Sequence, residues 1–210
     1  MSETISGRRV LIEIALRRSR PGSGSALDFL RRRTADMNWP DLAALLHPLP
    51  WTVVGAVATR LYMPERTTRD LDVVVTVADV PEVRRRLIAA GFVEQGHLTI
   101  GGTSWRTPDG ESIDVIEGRD PWWAEALAEA QTNRDVQGLP ILPLTYLVLM
   151  KVRAGRVQDL ADATRMLGQA DASALERVRA VFVRWSHEDT EDLESLITLG
   201  RLEAQGGGER

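Results

Sequence analysis

The run Leu71-Asp-Val-Val-Val-Thr-Val77 constrains this chain more than any other feature. It is dense in β-branched residues, which fit a pleated sheet and lose rotamer freedom in a helix, so it predicts the strongest strand of the chain. Trp51-Thr-Val-Val54 predicts another strand, ending at Gly55, with a helical stretch over 56–62 after it. Asp79 predicts a helix cap, with Pro81 in the first turn and Val83, Leu87 and Ile88 facing inward. Phe92-Val93, Leu98-Thr-Ile100 and Ser104-Trp105-Arg106 read as short strands. The turn signal Pro108-Asp109-Gly110 folds 104–116 into a hairpin whose return strand is Ser112-Ile-Asp-Val-Ile116. Asp120-Pro121 opens a helix through Ala130, and Trp122-Trp123 predicts packing on the sheet, with stacking on a base as the alternative.

After Pro143 the spacing turns helical, over 144–153, 158–167, 172–185 and 190–202, with Gly155 and Gly168 as stops. Strands grouped ahead of helices predict an α+β fold, a mixed sheet with flanking helices plus a C-terminal helical lobe. The expected organisation is a basic, flexible segment over 1–24, an α/β core over 25–140, a helical lobe over 141–203 and a disordered tail over 204–210. Within the core, Ser25 would cap a helix carrying Leu27, Leu30 and Arg31–Arg33, and a short helix follows Pro40.

Composition narrows the function classes. With 210 residues, 43% hydrophobic and 27% charged, the chain can bury a core. No apolar run reaches the length of a spanning helix, and the amino-terminal apolar stretch is too short for a signal peptide, so the expected location is cytoplasmic. Cysteine is absent, which excludes disulfides, thiolate zinc sites and cysteine nucleophiles. The net charge of −4 is uneven: residues 1–33 hold eight Arg against Glu3, Glu13 and Asp28, a balance of +5 that leaves −9 on the remainder. Such a basic segment reads as a solvated surface or as a contact for nucleic acid or an acidic partner. Of the 26 basic residues, Lys151 alone is lysine.

The chemistry gathers at Arg66-Thr67-Thr68-Arg69-Asp70-Leu71-Asp72. On a strand, Asp70 and Asp72 share a face, where two carboxylates repel each other unless a divalent cation relieves them. Asp114, embedded in the apolar strand Ile113-Asp-Val-Ile116, is a third such acid. Three carboxylates on neighbouring strands can hold two Mg²⁺ ions, with Mn²⁺ the alternative. Gly55-Ala56 forms a strand-to-helix turn where backbone can approach a phosphate closely. Lys151 follows the apolar helical run Tyr146–Met150, which places its stem near the core and its ammonium at an edge, suited to a triphosphate or merely snorkelling. Asp159 and Asp162 share a helix face with Arg165 and would form an i,i+3 pair.

Val54-Gly55-Ala56-Val57-Ala58, then Arg66-x-Thr68-x-Asp70-Leu71-Asp72-Val73, then Ile113-Asp114-Val115, resembles the minimal nucleotidyltransferases of the DNA polymerase β-like superfamily. The look is closest to the AbiEii-like, abortive-infection toxin type. Lys151 followed by Arg156-Val-Gln-Asp159 and Asp162 matches that type's helical Lys and R-x-x-D stretch. The resemblance, over about residues 40–170, implies a nucleotidyltransferase fold and metal binding at Asp70, Asp72 and Asp114. It implies nucleotide contacts at Gly55, Ala56 and Lys151, supported by Arg66, Thr68 and Asp159. Ala56 departs from the family's usual Ser or Gly: it keeps the backbone N–H and lacks a hydroxyl for the phosphates. The implied reaction is Mg²⁺-dependent transfer of a nucleoside monophosphate from an NTP to an acceptor hydroxyl. The first acceptor is RNA, a tRNA 3′ end as in toxin-type relatives, helped by the basic segment. Aminoglycoside, lincosamide or protein acceptors are alternatives, and an antitoxin protein is an implied partner. A nucleotide-binding regulator without catalysis is the reading of another class.

Overall fold

A computed structural model describes residues 7–19, 39–63 and 70–204. The helix expected from Ser25, and Arg66 and Thr68, lie outside the described residues. The architecture is α+β, as expected, and divides into two compact units: one from Arg31–Leu61 and Glu65–Pro143, the other from Met1–Leu30, Tyr62–Pro64 and Leu144–Arg210.

The helix α1 spans Gly7–Arg18, α2 Ala43–Leu46, β1 Thr52–Val53, α3 Gly55–Thr59, β2 Asp70–Thr76, α4 Val80–Ala89, β3 Val93–His97, β4 Gly102–Arg106, β5 Ser112–Gly118, α5 Trp123–Ala130, α6 Leu144–Ala154, α7 Val157–Gln169, α8 Ala172–Trp185 and α9 Thr190–Ala204.

In the α/β unit the five strands lie in the order β1-β2-β5-β4-β3. The β2–β5 pair is parallel and every other pair is antiparallel. Val73, Val74 and Val75 are all fully buried, so β2 is covered on both faces and the run that dominates the sequence is an interior strand. The edge beside β1 is partly closed by 140–142: Val53 N–H donates to Pro140 O at 2.7 Å and Leu142 N–H to Val53 O at 3.0 Å. The hairpin expected over 104–116 is β4–β5, closed by Thr107 N–H to Glu111 O at 2.9 Å.

Three local expectations change. Leu98–Ile100 is not a strand but part of the turn joining β3 to β4, closed by Gly101 N–H to Leu98 O at 3.1 Å. Ile88 does not face inward; Val83 and Leu87 make the i,i+4 inner edge of α4, and Ile88, a further 100° round, is 53% exposed. Asp79 is not a side-chain cap, because it already has helical dihedrals and accepts instead from Thr76 Oγ1 at 2.6 Å. Trp39 and Trp51 are core residues.

In the helical unit α6 buries seven of its eleven residues, packed against α7 and α8. It stops where expected, at Gly155, whose φ of +64° suits glycine. Gly168 is no stop. It lies inside α7, where a Cβ would come within 2.4 Å of Gly200 O on α9, so the pair is a close helix crossing. The amino-terminal segment is not simply a flexible appendage: α1 is a helix packed on α9. Arg8 donates Nε to Asp192 Oδ2 at 2.6 Å, Nη1 to Val152 O at 3.1 Å and Nη2 to Asp189, while Arg9 reaches Asp192 and Glu191.

Candidate functional site

The carboxylates come together by register. Asp72 on β2 is the direct partner of Asp114 on β5, and Asp114 is in turn the partner of Ser104 on β4. Register partners point to the same face, so Asp72, Asp114 and Ser104 form a row across three strands about 4.8 Å apart. Asp70 lies one pleat away on that face, opposite Ser112. Asp72 and Asp114 are half-buried and Asp70 is exposed, whereas Leu71, Val73, Ile113 and Val115 fill the opposite face. Among the described residues no three His, Asp or Glu side chains close into a formed metal site. The donor chemistry nevertheless fits a hard divalent cation, which takes carboxylate oxygens as ligands.

Gly55 is built against this row. Its φ is +63°, and a Cβ placed there would lie 1.8 Å from Asp72 Oδ2. Val54 N–H donates to Asp72 O at 2.8 Å and fixes the turn on β2. No residue with a side chain fits between backbone and carboxylate. The helix expected over 56–62 ends at Thr59, so what the turn offers a ligand is close backbone approach rather than a long helix dipole. Ala56 is buried just inside that turn.

His97 is removed from the carboxylates. It pairs with Thr103, which pairs with Val115, and that row faces the other side of the sheet. Trp122 and Trp123 are buried with ring centroids 4.0 Å apart, so neither offers a face to a base. Trp123 also explains Gly118 at the end of β5: a Cβ there would meet the indole at 2.8 Å.

The helical unit holds Lys151 and Asp159 together, in a different arrangement from the expected one. Lys151 is 2% exposed, not at an open edge, and its ammonium donates to Asp159 Oδ1 at 3.1 Å and Asp162 Oδ2 at 2.8 Å. The expected pairing of these acids with Arg165 is replaced, because a buried ammonium and buried carboxylates need one another more than an exposed pair does. Asp162 also accepts from Gln158 Nε2 at 3.0 Å, and Asp159 Oδ2 from Arg156 Nε at 2.5 Å.

Sequence reasoning named Arg156 in the R-x-x-D stretch and missed Ser104. The hairpin turn could have shown the serine, since its pairing of Arg106 with Ser112 carries Ser104 onto Asp114.

No protein-family model matches the chain. No curated protein matches it either. Solved structures do resemble it. The antibiotic-resistance factor ANT(2'')-Ia in complex with adenylyl-2''-tobramycin is 18% identical, with 73% of this chain and 87% of that one covered and a TM-score of 0.40. The CD-NTase CdnG of Bradyrhizobium diazoefficiens in complex with GTP is 13% identical, with 96% and 89% covered and a TM-score of 0.25. Terminal uridylyl transferase 4 of Trypanosoma brucei with bound GTP is 12% identical, with 94% and 70% covered and a TM-score of 0.28. Among the described residues no helix is long and apolar enough to cross a membrane.

Proposed function

We propose that this chain is a nucleotidyltransferase that moves a nucleoside monophosphate from an NTP to an acceptor hydroxyl. The observation that carries the reading is the cross-strand pair Asp72–Asp114 with Gly55 backed onto the Asp72 carboxylate. Two half-buried acids in direct register bring like charges together, and a glycine backbone is pressed on one of them. Asp70, Asp72 and Asp114 would hold Mg²⁺ or Mn²⁺. When bound, two such ions neutralise the triphosphate and align the attacking oxygen. The acceptor oxygen forms a bond to the α-phosphorus, the bond to the β-phosphate oxygen breaks, and pyrophosphate leaves. Asp114 would take the acceptor's proton, and the Gly55-Ala56 backbone would receive the phosphates. Ser104, the register partner of Asp114 on β4, adds a hydroxyl to the row.

The acceptor of this reading is an RNA 3′ end, as the toxin-type resemblance implies, with an antitoxin as partner. One support for RNA is weaker in the folded chain, because Arg8 and Arg9 of the basic segment are bound to Asp189, Glu191 and Asp192. That favours a second reading, a small cationic acceptor such as an aminoglycoside, drawn by the acidic remainder of the chain.

Label transfer tests both. Purified protein and its Asp72→Asn variant are incubated with Mg²⁺, each α-labelled NTP, total RNA, tobramycin and a cell extract. Label in an acceptor, absent with the variant, is the expected result, and the labelled fraction names the acceptor class. Equal label in both preparations, or none in either, overturns nucleotidyl transfer. Mg²⁺-dependent NTP binding without transfer would leave a regulator.

A further inference from the structure

The row that carries Asp72 does not stop at Ser104. Ser104 is the register partner of Gly96 on β3, so one face of the sheet runs Asp72, Asp114, Ser104, Gly96 across four strands. We propose that the Ser104–Gly96 end of this row is the floor of the acceptor site, and that Ser104 holds the acceptor beside Asp114. The proposal rests on the nucleotidyl-transfer reading, for which it names a further binding residue, and it lies wholly within the α/β unit.

The two ends of the row differ. A Cβ on Gly55 would fall 1.8 Å from Asp72 Oδ2, so that end is filled by the turn assigned to the phosphates. A Cβ on Gly96 would meet no atom within 4 Å, so that end is open. Side chains shrink in the same direction, from two aspartates to a serine to a glycine. At about 4.8 Å per strand, Asp114 to Gly96 is a floor of about 10 Å, room for a sugar ring. In the neighbouring row Val93, the partner of Arg106, is 58% exposed, so the outer margin is uncovered as well.

Polar groups stand unengaged on this floor. Among the described residues neither the Asp114 carboxylate nor the Ser104 hydroxyl forms a hydrogen bond or an ion pair, although both residues are half-buried. A partly desolvated polar group without a partner costs free energy that a ligand's hydrogen bond restores. Opposed residues in register have Cβ atoms about 5 Å apart, so the two groups reach neighbouring atoms of one acceptor. With the phosphates at the Gly55 end, the attacking hydroxyl meets Asp114 from the β4 side. Ser104 then hydrogen-bonds the acceptor next to that hydroxyl, and the body of the acceptor lies toward Gly96.

The experiment compares the wild type with Ser104→Ala, Ser104→Thr and Ser104→Trp. It measures ATP and GTP binding with Mg²⁺ by calorimetry, melting temperature, and label transfer while the acceptor (total RNA, tobramycin or cell extract) is titrated. Ser104→Ala is expected to raise the half-saturating acceptor concentration about fivefold, with nucleotide binding and melting unchanged. Ser104→Thr keeps the hydroxyl and should recover the loss. Ser104→Trp lays a ring over the floor and should abolish transfer while nucleotide still binds. Wild-type acceptor dependence in Ser104→Ala overturns the proposal alone, as does nucleotide binding that falls in step with transfer. If Ser104→Trp does not fold, the alanine and threonine variants decide. A wild type that labels none of the three acceptors overturns the nucleotidyl-transfer reading and this proposal with it.

Discussion

A methyl group at position 55 would decide whether the carboxylate row survives. Alanine there faces a φ of +63°, a cost of about 1–2 kcal/mol, and must also displace the Asp72 carboxylate it would overlap. Gly55→Ala is therefore expected to lose nucleotidyl transfer and to unfold at lower denaturant; a variant with wild-type midpoint and activity would contradict the close approach. The residue types at this site were legible in the sequence, because period-two alternation puts Asp70 and Asp72 on one face whatever the fold. Their neighbour was not. The register of Asp72 with Asp114 depends on a parallel pairing between segments about 40 residues apart, which no local pattern encodes. Lys151 shows the converse. Its rarity drew attention, but its burial is a property of the packed helices and not of the run Tyr146–Met150.

Helices carry two further expectations. Gly168 and Gly200 sit where α7 and α9 cross, and a Cβ on Gly200 would lie 2.2 Å from Thr164 O. Gly→Ala inside a helix gains about 1 kcal/mol of propensity, but overpacking a close contact costs about 1–3 kcal/mol, so Gly200→Ala should be net destabilising in a chemical melt. A stabilised variant would mean the crossing yields. In sequence, Gly168 after Met166-Leu167 has the look of a helix stop; only the partner helix reveals it as a contact. The second expectation concerns α4. Glu82 accepts from Arg85 at 2.6 and 2.8 Å and from Arg86 at 2.6 Å. Those guanidiniums, Arg85 first, hold its carboxyl down at about 2, from 4.5. A depressed carboxyl pKa adds stability that is complete above about pH 4.5 and is lost as pH falls through about 2. Glu82→Gln should thus flatten the fall in stability over that window, and a Glu82 carboxyl that titrates near 4.5 by NMR would refute the pairing.

At the scale of the whole molecule, the uneven charge seen in the sequence resolves into contacts. Arg8 is the centre of them, bonded to Asp189, Asp192 and the carbonyl of Val152. Arg8→Ala would leave two buried aspartates short of a partner, at a cost of about 2 kcal/mol. Amide hydrogen exchange should then quicken throughout α1, and unchanged protection there would show that the arginine does not hold the helix. The sequence hid this helix because its apolar residues go all the way round: Ile12 is buried while Val10, Leu11 and Ile14 are exposed, so no one-sided stripe announces it. The α+β class, by contrast, follows from strands that all fall ahead of Pro143 and the helices that follow it. The separation between Arg8 and Asp192 is 184 residues. At ribosomal speeds of about 5–20 residues per second, that interval lasts roughly 10–40 s. During synthesis, then, α1 waits with Arg8 short of Asp189 and Asp192 until α9 is made, and any product cut short before Asp189 presents that helix to chaperones and proteases as an orphan.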